Sequence, residues 1–139
     1  MAEKRKYGIG LQWFPDFKEN GCVYVDKTAY VCKLVHHGGI DFFLSRPRRF
    51  GKSLLVSTLH AYFEGRRELF EGLAIDQLEK ERTKRPVIHL DLSMGKYYEE
   101  RSVQQIAGSL LKDYEREYGL HPKEGAMLSE RLSICGITE

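Results

Sequence analysis

The sequence predicts an α/β fold, a mostly parallel sheet between layers of helices, of which this chain supplies only an N-terminal portion. Three observations predict it. Apolar runs of strand length, "IDFFL" (40–44) and "PVIHLDLS" (86–93), alternate with segments of helical period, a pattern that implies crossovers between parallel strands. The first run feeds through a basic loop, "SRPRRFGKS" (45–53), straight into a helix. Two convincing strands and a doubtful third, "GCVYV" (21–25), fall short of the ~4–6 strands of an ordinary sheet.

The elements follow in order. Residues 1–39 form a lead-in and a helix. Asp26 is placed to cap that helix; Tyr30, Val31, Leu34 and Val35 supply its apolar stripe, and Gly38-Gly39 stops it. Residues 40–95 hold the strand-loop-helix and the second strand. The helix "KSLLVSTLHAYFEG" sets Leu55, Leu59 and Tyr62 on one face, with Gly65 as its stop. "RRELFEGLAIDQLEKERTK" reads as one or two short amphipathic helices, and Pro86 stands at the first position of the second strand, where a missing N–H is tolerated. Residues 96–139 are a helical tail. Ser102 and Gln105 have the spacing of a capping box, Val103, Ile106, Ala107, Leu110, Leu111 and Tyr114 share a face, and Gly119 with Pro122 ends the helix. One weaker helix is expected between His121 and Glu139.

Composition narrows the function classes. With 139 residues, 42% hydrophobic and 30% charged, the chain is long enough for one domain with a real core. A net charge of +2 does not argue for nucleic acid, so any basic argument must be local. No apolar run has the length of a membrane span, and the basic opening "MAEKRKYGIG" has no apolar segment behind it of the kind a signal peptide needs. Three cysteines, Cys22, Cys32 and Cys135, without Cys-x-x-Cys spacing read as reduced thiols of a cytoplasmic protein.

The loop carries the chemistry. A phosphate-binding loop (P-loop) needs a strand, a tight turn whose N–H groups face inward, and a helix N-terminus toward the phosphates. Gly51 stands where the backbone must come close to phosphate oxygens, Lys52 reaches the terminal phosphates, and the Ser53 hydroxyl is a ligand for Mg²⁺. The departure is at the front: the first glycine of Gly-x-x-x-x-Gly-Lys-Ser falls on Arg46, which Pro47 biases toward extended backbone. Two other readings of Arg46, Arg48, Arg49 and Lys52 stay open, a solvated basic loop and a nucleic-acid or protein contact patch. Neither accounts for Gly51 or for the cluster's place at the start of a helix.

"VYVDKTAYVCKLV", "FFLSRPRRFGKSLLVSTLHAYFEGRRELFEGLAI" and "PVIHLDLS" together resemble the bacterial AAA-ATPase-like domain family, over about residues 7–95. That domain commonly precedes a restriction-endonuclease-like nuclease domain. The family's own loop reads "RPRRFGKS", so Arg46 departs from the generic pattern and not from its relatives. The resemblance implies a P-loop NTPase-type three-layer fold that binds ATP with Mg²⁺. Carried onto this chain, the backbone of Pro47, Arg48, Arg49, Phe50, Gly51, Lys52 and Ser53 cradles phosphate, Lys52 contacts the β/γ-phosphates, and Ser53 contacts the metal. "YVDKT" (24–28) resembles the stretch that flanks the base.

The family's later apolar strand ending in acidic residues, which polarises water, has no counterpart after residue 96. Asp91 is the nearest catalytic candidate; its other reading is the end of a strand. The resemblance therefore implies a nucleotide-binding module whose C-terminal partner domain lies outside this sequence, and leaves hydrolysis open. A degenerate, non-catalytic remnant of the ATPase is the remaining alternative.

Two further groups have more than one reading. Cys32 and His36 have the i,i+4 spacing of two metal ligands and Cys22 lies nearby, but no second ligand pair completes a zinc site, so packing and helix-end roles are the reading. Trp13, Phe14 and Phe17 read as core, with stacking of one of them on adenine as the alternative.

Overall fold

The computed structural model describes residues 6–39, 42–81, 84–91 and 100–134. Among these, every regular element is helical: α1 (Phe14–Glu19), α2 (Thr28–His36), α3 (Lys52–Phe63), a 3₁₀ turn (Arg67–Phe70), α4 (Ala74–Leu78), α5 (Glu100–Tyr118) and α6 (Leu128–Ile134). The chain divides into two compact units, Met1–Val87 and Ile88–Glu139.

The three-layer α/β fold with a parallel sheet is thereby corrected. No strand occurs among the described residues, and the only β-type pairing is an isolated parallel bridge between Lys6 and Cys22. Phe42–Leu44, the described part of the first expected strand, is non-helical and unpaired, with Phe43 95% exposed. Residues 86–91 are likewise neither strand nor helix; Ile40, Asp41, Leu92 and Ser93 lie outside the described residues. The physical reason is that an apolar run reports a tendency to be buried, whereas a strand exists only when a neighbouring backbone takes its N–H and C=O groups. In the first unit the helices close a core among themselves and leave residues 42–50 exposed.

That core is built around Phe14, Val31, Ala61, Tyr62, Leu69, Phe70 and Ile75, all buried, from α1, α2, α3, the 3₁₀ turn and α4. Phe14 packs on Phe70 with ring centroids 4.9 Å apart and meets Tyr24 edge-on at 5.1 Å. Pro15 near the start of α1 suits a position whose N–H has no helical acceptor. The buried Phe14 N–H donates to Ser57 Oγ at 2.9 Å, which fastens the start of α1 to α3.

Lys27, not Asp26, is the N-cap of α2, yet the Asp26 carboxylate serves the start of that helix and of one more. Its Oδ1 accepts the N–H of Thr28 at 2.8 Å and the Thr28 hydroxyl at 2.7 Å, and its Oδ2 accepts the N–H of Ala74 at 2.7 Å. Thr28 Oγ1 in turn accepts the N–H of Ile75 at 3.1 Å. One carboxylate and one hydroxyl thus serve the N-termini of both α2 and α4. Burial works against the charge of Asp26, but the bonds from Thr28 and Ala74 and the nearby Lys18 outweigh it and hold the carboxyl below its usual range.

Helix α3 ends as expected. Gly65 takes φ 73°, and the N–H of Arg66 returns to the carbonyl of Ala61 at 3.1 Å, closing the last turn. In the second unit, α5 begins at Glu100, so Ser102 lies within the helix rather than at its cap. Gly119 at φ 64° stops α5, and the Leu120 N–H donates back to Glu115 at 2.8 Å. Ala107 and Leu111 are buried. Glu115 accepts two bonds from Arg131 of α6, at 2.7 and 2.9 Å, and the same guanidinium donates to the Gly108 carbonyl at 3.1 Å. Those bonds hold the Glu115 carboxyl below its ordinary value despite its burial.

Candidate functional site

The loop before α3 is shaped by two left-handed residues. Gly51, the N-cap of α3, has φ 75°, and Arg49 has φ 66°, which is rare for a residue with a Cβ. A Cβ on Gly51 would meet open space, so the glycine is needed here for its backbone conformation.

The loop is closed by its own basic residues. Lys52 Nζ donates to the carbonyl of Arg46 and, at 3.3 Å, to that of Pro47. The guanidinium of Arg46 donates to the carbonyl of Phe50 at 3.3 Å. Arg46, where a generic loop has glycine, therefore fastens the loop's two ends instead of turning the chain. Arg48 is exposed in the turn, and Phe50 is 65% exposed.

Beside the loop lies a cleft of about 570 Å³, within the range of small-molecule sites. Arg49, Gly51, Lys52, Ser53 and Leu54 form one wall, and Ile9, Gly10, Leu11 and Gln12 form the other. Lys52, Ser53 and Leu54 open a twelve-residue helix, so their N–H groups have no acceptor within it. The helix dipole adds partial positive charge at that end, and the side chains of Lys52 and Arg49 add full charges. The chemistry on offer is anion binding against an apolar wall.

The structure brings together Arg49, Gly51, Lys52 and Ser53 of the residues expected from sequence, with Pro47 and Phe50 contributing carbonyls to the loop's closure. Residues 24–28 are not among the cleft's lining; Asp26 and Thr28 are engaged at the ends of α2 and α4. Phe14 and Phe17 are buried, and Trp13 lies against His60 at 5.6 Å between ring centroids. Asp91 is exposed, belongs to the second unit, and is not a lining residue of the cleft.

Residues 9–12 are the part that sequence reasoning missed. Their signal was the pair of glycines in "GIG". A Cβ on Gly8 would stand 2.7 Å from the Phe17 ring, and Gly10 turns at φ 78°. The first glycine permits close packing on α1, and the second redirects the chain along the cleft.

Comparison with known proteins shows the family. The family described as Predicted AAA-ATPase matches residues 8–136. The chain belongs to the predicted AAA-ATPase family. The match runs through α5 and α6, well past residue 95, where the recognisable motifs stop. A relative from Azotobacter chroococcum mcd 1, described as "Uncharacterized protein in vnfD 5'region", is 34% identical over 118 residues. The alignment takes in 84% of this chain and 23% of that relative, so this AAA-ATPase-family chain spans about a quarter of the relative's length. No solved structure matches it. No described helix is long and apolar enough to cross a membrane.

Proposed function

We propose that the cleft beside residues 46–53 binds the phosphates of ATP with Mg²⁺, and that nucleotide occupancy drives a partner domain elsewhere in a longer protein. The observation that carries this reading is the meeting of a left-handed Gly51, a first helical turn with unpaired N–H groups, and Lys52 at one end of an apolar-walled cleft. The phosphates would take the place that the Arg46 and Pro47 carbonyls hold around Lys52 Nζ. Lys52 then exchanges two neutral acceptors for anionic ones, which bind an ammonium more strongly. Arg49, on the same wall, adds a second cation, and Ile9 and Leu11 offer apolar surface to the base.

Ser53 fits a metal-binding role in one respect: its hydroxyl lies in the first turn of α3, on the cleft wall. It supplies a single oxygen. Phosphate oxygens and water would complete the octahedron that Mg²⁺ requires.

Titration calorimetry with ATP and Mg²⁺ tests the reading, using the chain and its Lys52→Ala variant. Binding by the wild type that the variant loses by about tenfold or more supports it. Equal affinity in the two proteins rejects it. A DNA-contact function for the arginines predicts instead salt-dependent DNA binding without nucleotide, abolished by charge reversal at Arg46, Arg48 and Arg49.

A further inference from the structure

A second cluster of chemically distinctive groups lies at the other end of α3, in the same unit and independent of the nucleotide reading. Cys32 and His36 are one turn apart on α2 and so share a face. Glu79, the residue that ends α4, brings a carboxylate to that face. One ligand atom from each of the three lies within 4.8 Å of the other two. His36 Nε2 and Glu79 Oε1 are 3.6 Å apart.

Those spacings can be compared with a loaded site. Zinc holds nitrogen and oxygen ligands at about 2.0–2.2 Å and sulfur at about 2.3 Å, so tetrahedral ligand atoms stand roughly 3.3–3.8 Å apart. The His36–Glu79 separation already falls in that range. Closing the remaining distances takes a shift of about 1 Å or less, which a side-chain rotation provides.

The carboxylate is also held in place. Glu79 Oε2 accepts the hydroxyl of Tyr62 at 2.6 Å, and Tyr62 is buried in the core. The Glu79 N–H donates to Ile75 at 3.0 Å, which fixes its backbone. Oε2 is therefore occupied by the phenol while Oε1 faces His36. A ligating carboxylate anchored through its other oxygen is the usual arrangement at metal centres. A surface ion pair between His36 and Glu79 needs neither the thiol nor the buried anchor.

The donor set selects the metal. Hard cations such as Mg²⁺ and Ca²⁺ take oxygen ligands, whereas one thiolate, one imidazole and one carboxylate suit zinc. We propose that Cys32, His36 and Glu79 bind one zinc ion, with a fourth position open to water or an incoming ligand. The ion ties α2 to the end of α4 and, through Tyr62, to α3. Cys22 is not part of the cluster.

The test uses the chain stripped with a chelator, then titrated with Zn²⁺ against a chromophoric competitor and with Co²⁺ in the visible and near-ultraviolet. One equivalent of zinc binds with submicromolar affinity, releasing protons, and cobalt shows a thiolate charge-transfer band. Cys32→Ser, His36→Ala and Glu79→Gln each weaken zinc by tenfold or more, and Cys32→Ser removes the band while Cys22→Ser keeps it. Tyr62→Phe keeps the band and weakens zinc about tenfold. Circular dichroism of each variant checks its helix content, and the wild-type cobalt spectrum stands whatever the variants do. Absence of the thiolate band, binding weaker than micromolar, or wild-type zinc affinity in any of the three ligand variants overturns the proposal.

Discussion

The two ends of α3 are made of opposite materials. Its later turns set Ser57, Thr58, Ala61 and Tyr62 into a closed core, where the Ser57, Thr58 and Tyr62 hydroxyls each meet a partner. The N-terminal end, with residues 42–53, is exposed throughout and holds itself together by bonds from Lys52 and Arg46 to carbonyls within the loop. One helix thus joins a part that supplies stability to a part where we place the nucleotide site. Mutations at the core end should act on folding, and mutations at the loop end should act on ligand binding with little effect on folding.

Phe70→Ala should show the largest effect. The side chain is fully buried against Phe14 and Tyr62, so its loss costs about 3–5 kcal/mol in a urea denaturation experiment. A cost below about 1 kcal/mol would mean that the core end is not the stabilising part. Gly51→Ala comes next. A side chain at φ 75° costs about 1–2 kcal/mol of local strain, read as weaker nucleotide binding together with a small fall in melting temperature.

Asp26→Asn sharpens the comparison through pH. The carboxyl of Asp26 is held below its unfolded value, so its stabilisation is complete above the unfolded value near pH 3.9. That stabilisation is lost as pH falls through the folded value. At neutral pH the variant should be less stable by about 1 kcal/mol, because both carboxylate oxygens accept bonds and an amide offers only one acceptor oxygen. The difference between wild type and variant should shrink in acid, and a difference independent of pH would mean that the Asp26 charge does not serve the two helix N-termini. Phe43→Ser should do least: with the ring 95% exposed, stability should change by no more than about 0.5 kcal/mol.

The same contrast explains what the sequence could and could not disclose. Helix α3, its stop at Gly65 and the end of α5 at Gly119 were legible because periodicity and a left-handed glycine are local signals. The turn at Gly51 into α3 was legible for the same reason. The sheet was not, because "IDFFL" and "PVIHLDLS" state a demand for burial without naming a partner, and no strand pairs either run among the described residues. The second duty of Asp26 depends on Ala74, 48 residues away, and no local pattern announces it. Glu79 joins Cys32 and His36 only because α4 packs on α2, and residues 9–12 reach the cleft only because Gly8 lets the chain lie on Phe17.

Binding of ATP with Mg²⁺ to the wild-type chain and to Lys52→Ala, measured by calorimetry beside circular dichroism of both, tests the account most directly. The account predicts saturable binding by the wild type, a loss of about tenfold or more in the variant, and the same helix content in both. Undiminished binding by Lys52→Ala, or no binding by the wild type at millimolar nucleotide, would contradict it.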